Sequence, residues 1–301
     1  MYTRENIEFN SDEATLRGWF YTPKNRPHAP CIIMTHGFSA LKEHYLDKFA
    51  ARFAEAGIYA LVYDNRNFGN SEGTPRLEVD PDAQIRDMKN AITFVQGLDA
   101  VDSEKIGLWG TSLSGGVVLA VAGTDKRVAC IVTQVPFISG HHKALMANRP
   151  EQFEKLKKKY EADKYARLAG NPPAMIQVVT DNPEKPAIMK IPSAYSFFTS
   201  IKFWENEVTL KSLENSGDFE PITYVKQISP TPILFIVAKN DTVNAADAAL
   251  KAYSEALEPK KLVLIEGDHF APYEEQFDIS VNAACKWYEE FLLEKTNSIV
   301  E

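Results

Sequence analysis

The chain reads as a doubly wound α/β protein with a mostly parallel sheet and one helical insertion. Three features predict this: short apolar runs of strand length, amphipathic stretches between them, and a single long break in the alternation. The apolar runs are CIIMTH (31–36), IYALVYD (58–64), KIGLWG (105–110), VACIVTQV (128–135), ILFIVA (233–238) and KLVLIEG (261–267). Most are apolar without alternation, as befits strands buried on both faces of a parallel sheet. Helical stretches at 44–56, 81–97, 113–123, 243–256 and 275–294 separate them, which is the pattern of crossover connections. The opening segment, with IEF and TLRGWFYTP, suits an antiparallel hairpin on the sheet edge.

The alternation stops between about 137 and 222, so a core is expected over 1–136 and 223–301 and a lid over 137–222. The insertion holds a charged helix candidate, Pro150 to Leu168, in which Phe153, Leu156 and Tyr160 share one face. Its charges are mixed in sign and read as a solvated face. A proline-rich stretch follows, then a crowd of aromatics: Tyr195, Phe197, Phe198, Phe203 and Trp204. An insertion between the sixth and seventh strands stands over the carboxyl edge of the sheet, where such sheets bind ligands.

At 301 residues the chain can bury roughly three quarters of its unfolded surface, enough for one domain plus a cap. A formal charge of −8 argues against affinity for nucleic acids or anionic membranes. No apolar stretch approaches 18 residues and the N-terminus has no signal-like apolar core, so a cytoplasmic protein is expected. Cys31, Cys130 and Cys285 are too few and too scattered for a disulfide framework or zinc site and read as reduced core thiols. No metal or cofactor is expected.

A serine becomes an exposed nucleophile on a tight turn between a strand and a helix, with small neighbours two residues either side. The literal Gly-x-Ser-x-Gly match is Gly69-Asn70-Ser71-Glu72-Gly73, but TPRLEVDP follows it and no helix starts there. Gly110-Thr111-Ser112-Leu113-Ser114 is the better candidate, because it ends the strand KIGLW and opens the helix SGGVVLAVA. Ser114 replaces the second glycine and is acceptable there as a small residue.

The acid and base of a serine triad follow in that order, each after a later strand. Asp241 follows ILFIVA and His269 follows KLVLIEG, at the same sheet edge as Ser112. Asp241 could instead merely cap the next helix, and Asp268 and Asp247 are the runners-up as acid. Asp268 adjoins the histidine too closely to orient its ring easily. For the oxyanion hole, one N–H comes from Leu113 and the other from Phe38 in His36-Gly37-Phe38. His36 itself reads as structural. His141, Phe197, Phe198 and Trp204 are candidate substrate contacts, His141 reading equally well as an exposed loop residue.

With these residues placed, the chain resembles an α/β-hydrolase of the dienelactone-hydrolase and Xaa-Pro-dipeptidyl-peptidase-like branch. Within it, the chain is similar to the fungal polyketide transferase and thiohydrolase group. The likeness rests on YDNRNFGNSEGTPRLEVDP, DSEKIGLWGTSLSGG, DKRV and EPKKLVLIEGDHFAPY. Asn67 stands where a glycine is commonest in the branch, which bears on the geometry of that loop. The resemblance implies ester or thioester chemistry on a polyketide or other secondary metabolite, with a small-molecule or carrier-bound acyl substrate; a homodimer is left open. The fold alone names no substrate. The alternatives are non-ester chemistry in the same cavity, such as cyclisation or C–C cleavage, and a non-catalytic small-ligand binder.

Overall fold

A computed structural model describes residues 1–24, 26–147, 150–182 and 184–293. The first strands are β1 (Tyr2–Ser11) and β2 (Ala14–Pro23), followed by β3 (Ala29–Thr35), β4 (Tyr59–Tyr63), β5 (Val101–Thr111) and β6 (Val128–Gln134). After the insertion, which contributes β7 (Met175–Gln177) and β8 (Glu207–Thr209), come β9 (Ile233–Ala238) and β10 (Lys260–Ile265). One eight-stranded sheet runs β1-β2-β4-β3-β5-β6-β9-β10. The β1–β2 hairpin joins antiparallel at one edge, and every pairing from β4 to β10 is parallel. This is the α/β-hydrolase fold.

The strands β3, β4 and β9 are buried at every position, as their unbroken apolar sequences require. KLVLIEG looks equally apolar but forms the outer strand β10, where Leu264 is 46% exposed. The connecting helices are α1 (Leu46–Glu55), α2 (Pro81–Gln96), α3 (Leu113–Thr124), α8 (Ala246–Glu255) and α9 (Phe277–Phe291), after α4 to α7 of the insertion. Of the helix read over 275–294, residue 294 lies outside the described residues. Asp80 caps α2 by accepting the Ala83 N–H at 3.0 Å, with Pro81 at the first helical position. Helix α3 is apolar all round, and all but its last residue are buried.

Between β6 and β9 the chain leaves the sheet through α4 (Gly140–Ala147), α5 (Pro150–Leu168), α6 (Pro192–Thr199) and α7 (Leu210–Asp218). Within this segment β7 and β8 pair antiparallel, a small sheet that its proline-rich sequence did not announce. The segment is stitched to the core at three loops. The Trp204 indole donates to the Ser39 carbonyl at 2.7 Å, the Ser212 hydroxyl accepts the Val79 N–H at 2.9 Å, and Ser193 donates to Asp268 at 2.6 Å. Among the described residues, no helix is long and apolar enough to cross a membrane.

Candidate active site

Ser112 sits between β5 and α3 with φ 55° and ψ −122°, a conformation rare for non-glycine residues and held only by its surroundings. Its N–H donates to the Gln134 carbonyl at 3.0 Å, while its carbonyl accepts from Gly115 and Phe137 at 3.0 and 2.8 Å. A β-carbon at Gly110 would meet the Ser114 carbonyl at 2.3 Å, and one at Gly37 would meet the Ser112 β-carbon at 2.9 Å. Smallness is only part of what Ser114 supplies. Its hydroxyl accepts the Thr111 N–H at 2.8 Å and donates to the Thr35 carbonyl at 2.7 Å, tying the turn to β3.

Asp241 follows β9 and His269 follows β10, neighbouring parallel strands whose ends deliver both side chains to the turn. Asp241 Oδ2 lies 2.7 Å from His269 Nδ1, which places the ring proton there. His269 Nε2 is left to accept the Ser112 hydroxyl at 3.0 Å. The other carboxylate oxygen of Asp241 accepts the N–H groups of Val243 and Asn244 at 2.8 and 2.9 Å, so Asp241 both braces its own loop and holds the ring. Burial would push the Asp241 carboxyl up, but the His269 ring and these N–H groups outweigh it and hold it below its ordinary value. Asp268 points elsewhere: its carboxylate accepts from the Ser193 hydroxyl at 2.6 Å and the Phe270 N–H at 2.9 Å.

Leu113 and Phe38 both line the cavity beside Ser112. Leu113 opens α3, where first-turn N–H groups lack a helical partner and the helix dipole favours negative charge. His36 orients the second amide. Its Nδ1–H donates to the Gly37 carbonyl at 2.9 Å, and its Nε2 accepts the Asn65 N–H at 3.0 Å. A trans peptide points its carbonyl and N–H in opposite directions, so this bond turns the Phe38 N–H away from His36. Burial lowers the pKa of His36 and keeps the ring neutral.

The Ser112 hydroxyl opens into a cavity of about 660 Å³ walled largely by apolar groups from core and insertion. Phe153, Leu156 and Tyr160 of α5 face it, as do Phe197 and Phe198 of α6 and His141 of α4. Trp204 does not. It stacks on Phe198 with ring centres 4.9 Å apart and lines a separate cavity of about 110 Å³, because its indole N–H is spent on the Ser39 carbonyl.

Four further residues of the site went unread in the sequence. Asn244 Nδ2 lies 3.4 Å from Ser112 Oγ and also donates to the Val135 carbonyl at 2.9 Å. Lys143 Nζ donates to Asn244 Oδ1 at 3.3 Å. His44 stacks on Phe197 at 5.1 Å, and Tyr273 bonds through its hydroxyl to Thr111. Only Asn244 carried a local signal, three residues beyond an acid at a strand end. Asn67, the departure from the expected glycine, keeps the left-handed conformation at φ 72°, which asparagine tolerates better than most residues.

The X-Pro dipeptidyl-peptidase (S15 family) description matches residues 12–271. A thiohydrolase of Eupenicillium brefeldianum is 34% identical, over 88% of this chain and 86% of its own. Polyketide transferase ATR5 of Stachybotrys chlorohalonatus is 31% identical, over 88% and 89%. The crystal structure of the α/β hydrolase GrgF from Penicillium sp. superimposes with a TM-score of 0.85 at 26% identity, over 97% of this chain and all of that one. These likenesses make the chain an enzyme of hydrolase or transferase type.

Proposed function

The chain belongs to the X-Pro dipeptidyl-peptidase (S15) family, and from that premise we propose a serine-dependent acyl hydrolase or acyltransferase working through acyl-Ser112. One observation carries the reading: Ser112, His269 and Asp241 are linked at 3.0 and 2.7 Å beside an apolar cavity. Ser112 Oγ attacks the acyl carbon while His269 Nε2 takes its proton, and Asp241 stabilises the imidazolium. The N–H groups of Phe38 and Leu113 receive the oxyanion. As the C–S or C–O bond breaks, the proton on Nε2 passes to the leaving thiol or alcohol and the acyl group stays on Ser112. Water, or an acceptor alcohol or amine, then attacks the acyl carbon while giving a proton to His269, and His269 returns that proton to Ser112 Oγ as the acyl–serine bond breaks.

The names of the fungal relatives, thiohydrolase and polyketide transferase, support a polyketide or similar acyl group. The aromatic lining from Phe197 and Phe198 supports the same class, with the insertion acting as lid and setting chain length. Three buried free thiols are in keeping with a reducing, cytoplasmic setting. Hydrolysis is the default outcome, because water competes for any acyl-enzyme it can reach.

The test is to mix the protein with the N-acetylcysteamine thioester of a medium-chain acid and weigh the intact protein. The expected result is an acyl mass gain on the Ser112 peptide, lost in Ser112→Ala. An adduct elsewhere, or turnover that survives Ser112→Ala, overturns the proposal. Titrating alcohols and amines then separates the two outcomes: saturable partitioning well below molar acceptor marks a transferase, and a merely proportional rise marks a hydrolase.

A further inference from the structure

Within the cavity wall, Lys143 is out of keeping with its apolar surroundings. It stands on α4 with its ammonium 5.4 Å from the centre of the Phe137 ring. Its side-chain acceptor is the amide oxygen of Asn244, at the long distance of 3.3 Å. Among the described residues, no carboxylate lies within ion-pair distance of it. The two carboxylates that line the cavity, Glu214 and Asp218, sit on α7 and act on the Tyr160 phenol. Burial pulls the Lys143 ammonium down to about 8, with the charge of Asp241 opposing.

An ammonium has three donors, and that of Lys143, half-buried in the cavity wall, meets one side-chain acceptor among the described residues, so donors remain for a ligand. Asn244 ties this charge to the reacting atom, since its amide nitrogen is 3.4 Å from Ser112 Oγ while its oxygen is 3.3 Å from Nζ. Allowing for the width of the amide, Nζ lies within about 9 Å of the nucleophile. A group held by Lys143 is therefore part of the molecule being acylated or deacylated, and not a distant effector.

We propose that Lys143 is a specificity residue that binds a carboxylate of the substrate within reach of Ser112, so that the preferred substrate is an acidic acyl compound. The inference rests on the acyl-serine reading and sharpens it to a substrate class. The carboxylate belongs either to the acyl chain or to the leaving or accepting group, and both would meet the same ammonium.

Three thioesters separate these sources: hexanoyl-N-acetylcysteamine, adipoyl-N-acetylcysteamine, and the hexanoyl thioester of 3-mercaptopropionate. The expected result is a kcat/KM for one acidic thioester roughly ten- to hundredfold above the neutral one. That ratio should collapse in Lys143→Met and Lys143→Gln. No preference in the wild-type protein, or a preference that persists in both variants, overturns the proposal. Calorimetric binding of the acidic thioesters to Ser112→Ala, compared with Ser112→Ala/Lys143→Gln, reads the site without turnover. Tighter binding that needs Lys143 upholds the carboxylate site even where no thioester is cleaved, and such lack of cleavage counts against the acyl-serine reading alone. Equal binding by both proteins sinks the carboxylate site.

Discussion

Two turns of this molecule carry a glycine-flanked serine beside a buried aspartate and a basic partner, and their hydroxyls are bonded in opposite ways. At Ser71 every bond closes inward. The hydroxyl donates to the Asp64 carbonyl at 2.6 Å and accepts the Arg17 N–H at 2.9 Å. The Asp64 carboxylate is consumed by Lys42 Nζ at 2.6 Å and by the N–H groups of Lys42 and Asn70. At Ser112 the hydroxyl instead meets the free acceptor of His269 and faces a cavity. A motif match cannot separate the two. What separates them is whether the hydroxyl's bonding capacity is already used, and that follows from whether a helix or a folded-back loop comes next.

The contrast is sharpest in activity. Ser112→Ala should lower kcat by roughly three to six orders of magnitude while melting like the parent, because nucleophile and base act as one unit. His269→Ala should match it, and combining the two should cost little more. Ser71→Ala should keep kcat within a few-fold and lose about 1–3 kcal/mol of stability through its unmet partners. Thioester hydrolysis and urea unfolding on the same preparations measure both quantities. A dead Ser71→Ala beside a live Ser112→Ala would exchange the roles assigned above.

The two aspartates extend the comparison to stability. The Lys42–Asp64 pair has side chains only 3% and 0% exposed, so Asp64→Ala leaves the buried ammonium with Glu43 alone, 3.0 Å away, and takes the acceptor from the Lys42 and Asn70 N–H groups. The expected cost is about 3–5 kcal/mol in urea unfolding. Asp241→Asn should cost far less stability than Asp64→Ala, because Asn keeps an oxygen for the Val243 and Asn244 N–H groups, yet reduce kcat by roughly a thousand- to ten-thousandfold, since it disturbs the tautomer of His269. Similar stability losses at both positions would remove the distinction between a structural and a reactive acid.

Buried histidines divide the same way. His44 accepts the Leu41 N–H at 3.0 Å and donates to the Phe198 carbonyl at 3.2 Å, leaving neither nitrogen for chemistry. Burial lowers it to about 4, against the opposing pull of the Phe198 carbonyl and of Asp64. Above the unfolded value of about 6.5 neither state is charged, so stability is flat there. Below it the unfolded chain takes up a proton that the folded chain refuses, and stability falls until pH reaches about 4. His44 alone contributes roughly 3 kcal/mol across that window. Melting curves between pH 7 and 4.5 should show a shallower slope for His44→Gln, and an unchanged slope would assign the acid loss to carboxylates instead.

What was legible in the sequence was whatever a short segment decides for itself. Unbroken apolar runs located the strands, and the strand–turn–helix around Ser112 distinguished it from Ser71. The convergence of Asp241 and His269 on Ser112 was readable because parallel strands bring their carboxyl ends to one edge. Residues whose meaning comes from distant partners were not. Lys143 meets Asn244 across 101 residues, and His44 meets Phe198 across 154. Trp204 was read as pocket wall from its aromatic neighbours, but one indole hydrogen bond to Ser39 turns it out of the cavity. The outer position of β10 was hidden because its sequence is as apolar as that of β9, and strand order is not written in composition.

The smallest expected effect concerns Asp268, the other acid beside His269. Its carboxylate joins the Ser193 hydroxyl of α6 to the Phe270 N–H, so it fastens the insertion to the loop that carries the histidine. Asp268→Asn keeps one good acceptor and should cost about 0.5–1.5 kcal/mol of stability. Its kcat should fall far less than that of Asp241→Asn. Ser193→Ala removes the same bond from the other side, so the double variant should cost little more than either single change. Both single variants should weaken long-chain thioesters more than an acetyl ester, because what loosens is the roof rather than the triad. Initial rates on the two substrates, with melting curves for all three variants, test this. A loss at Asp268→Asn exceeding that at Asp241→Asn would make Asp268 the working acid and Asp241 the brace.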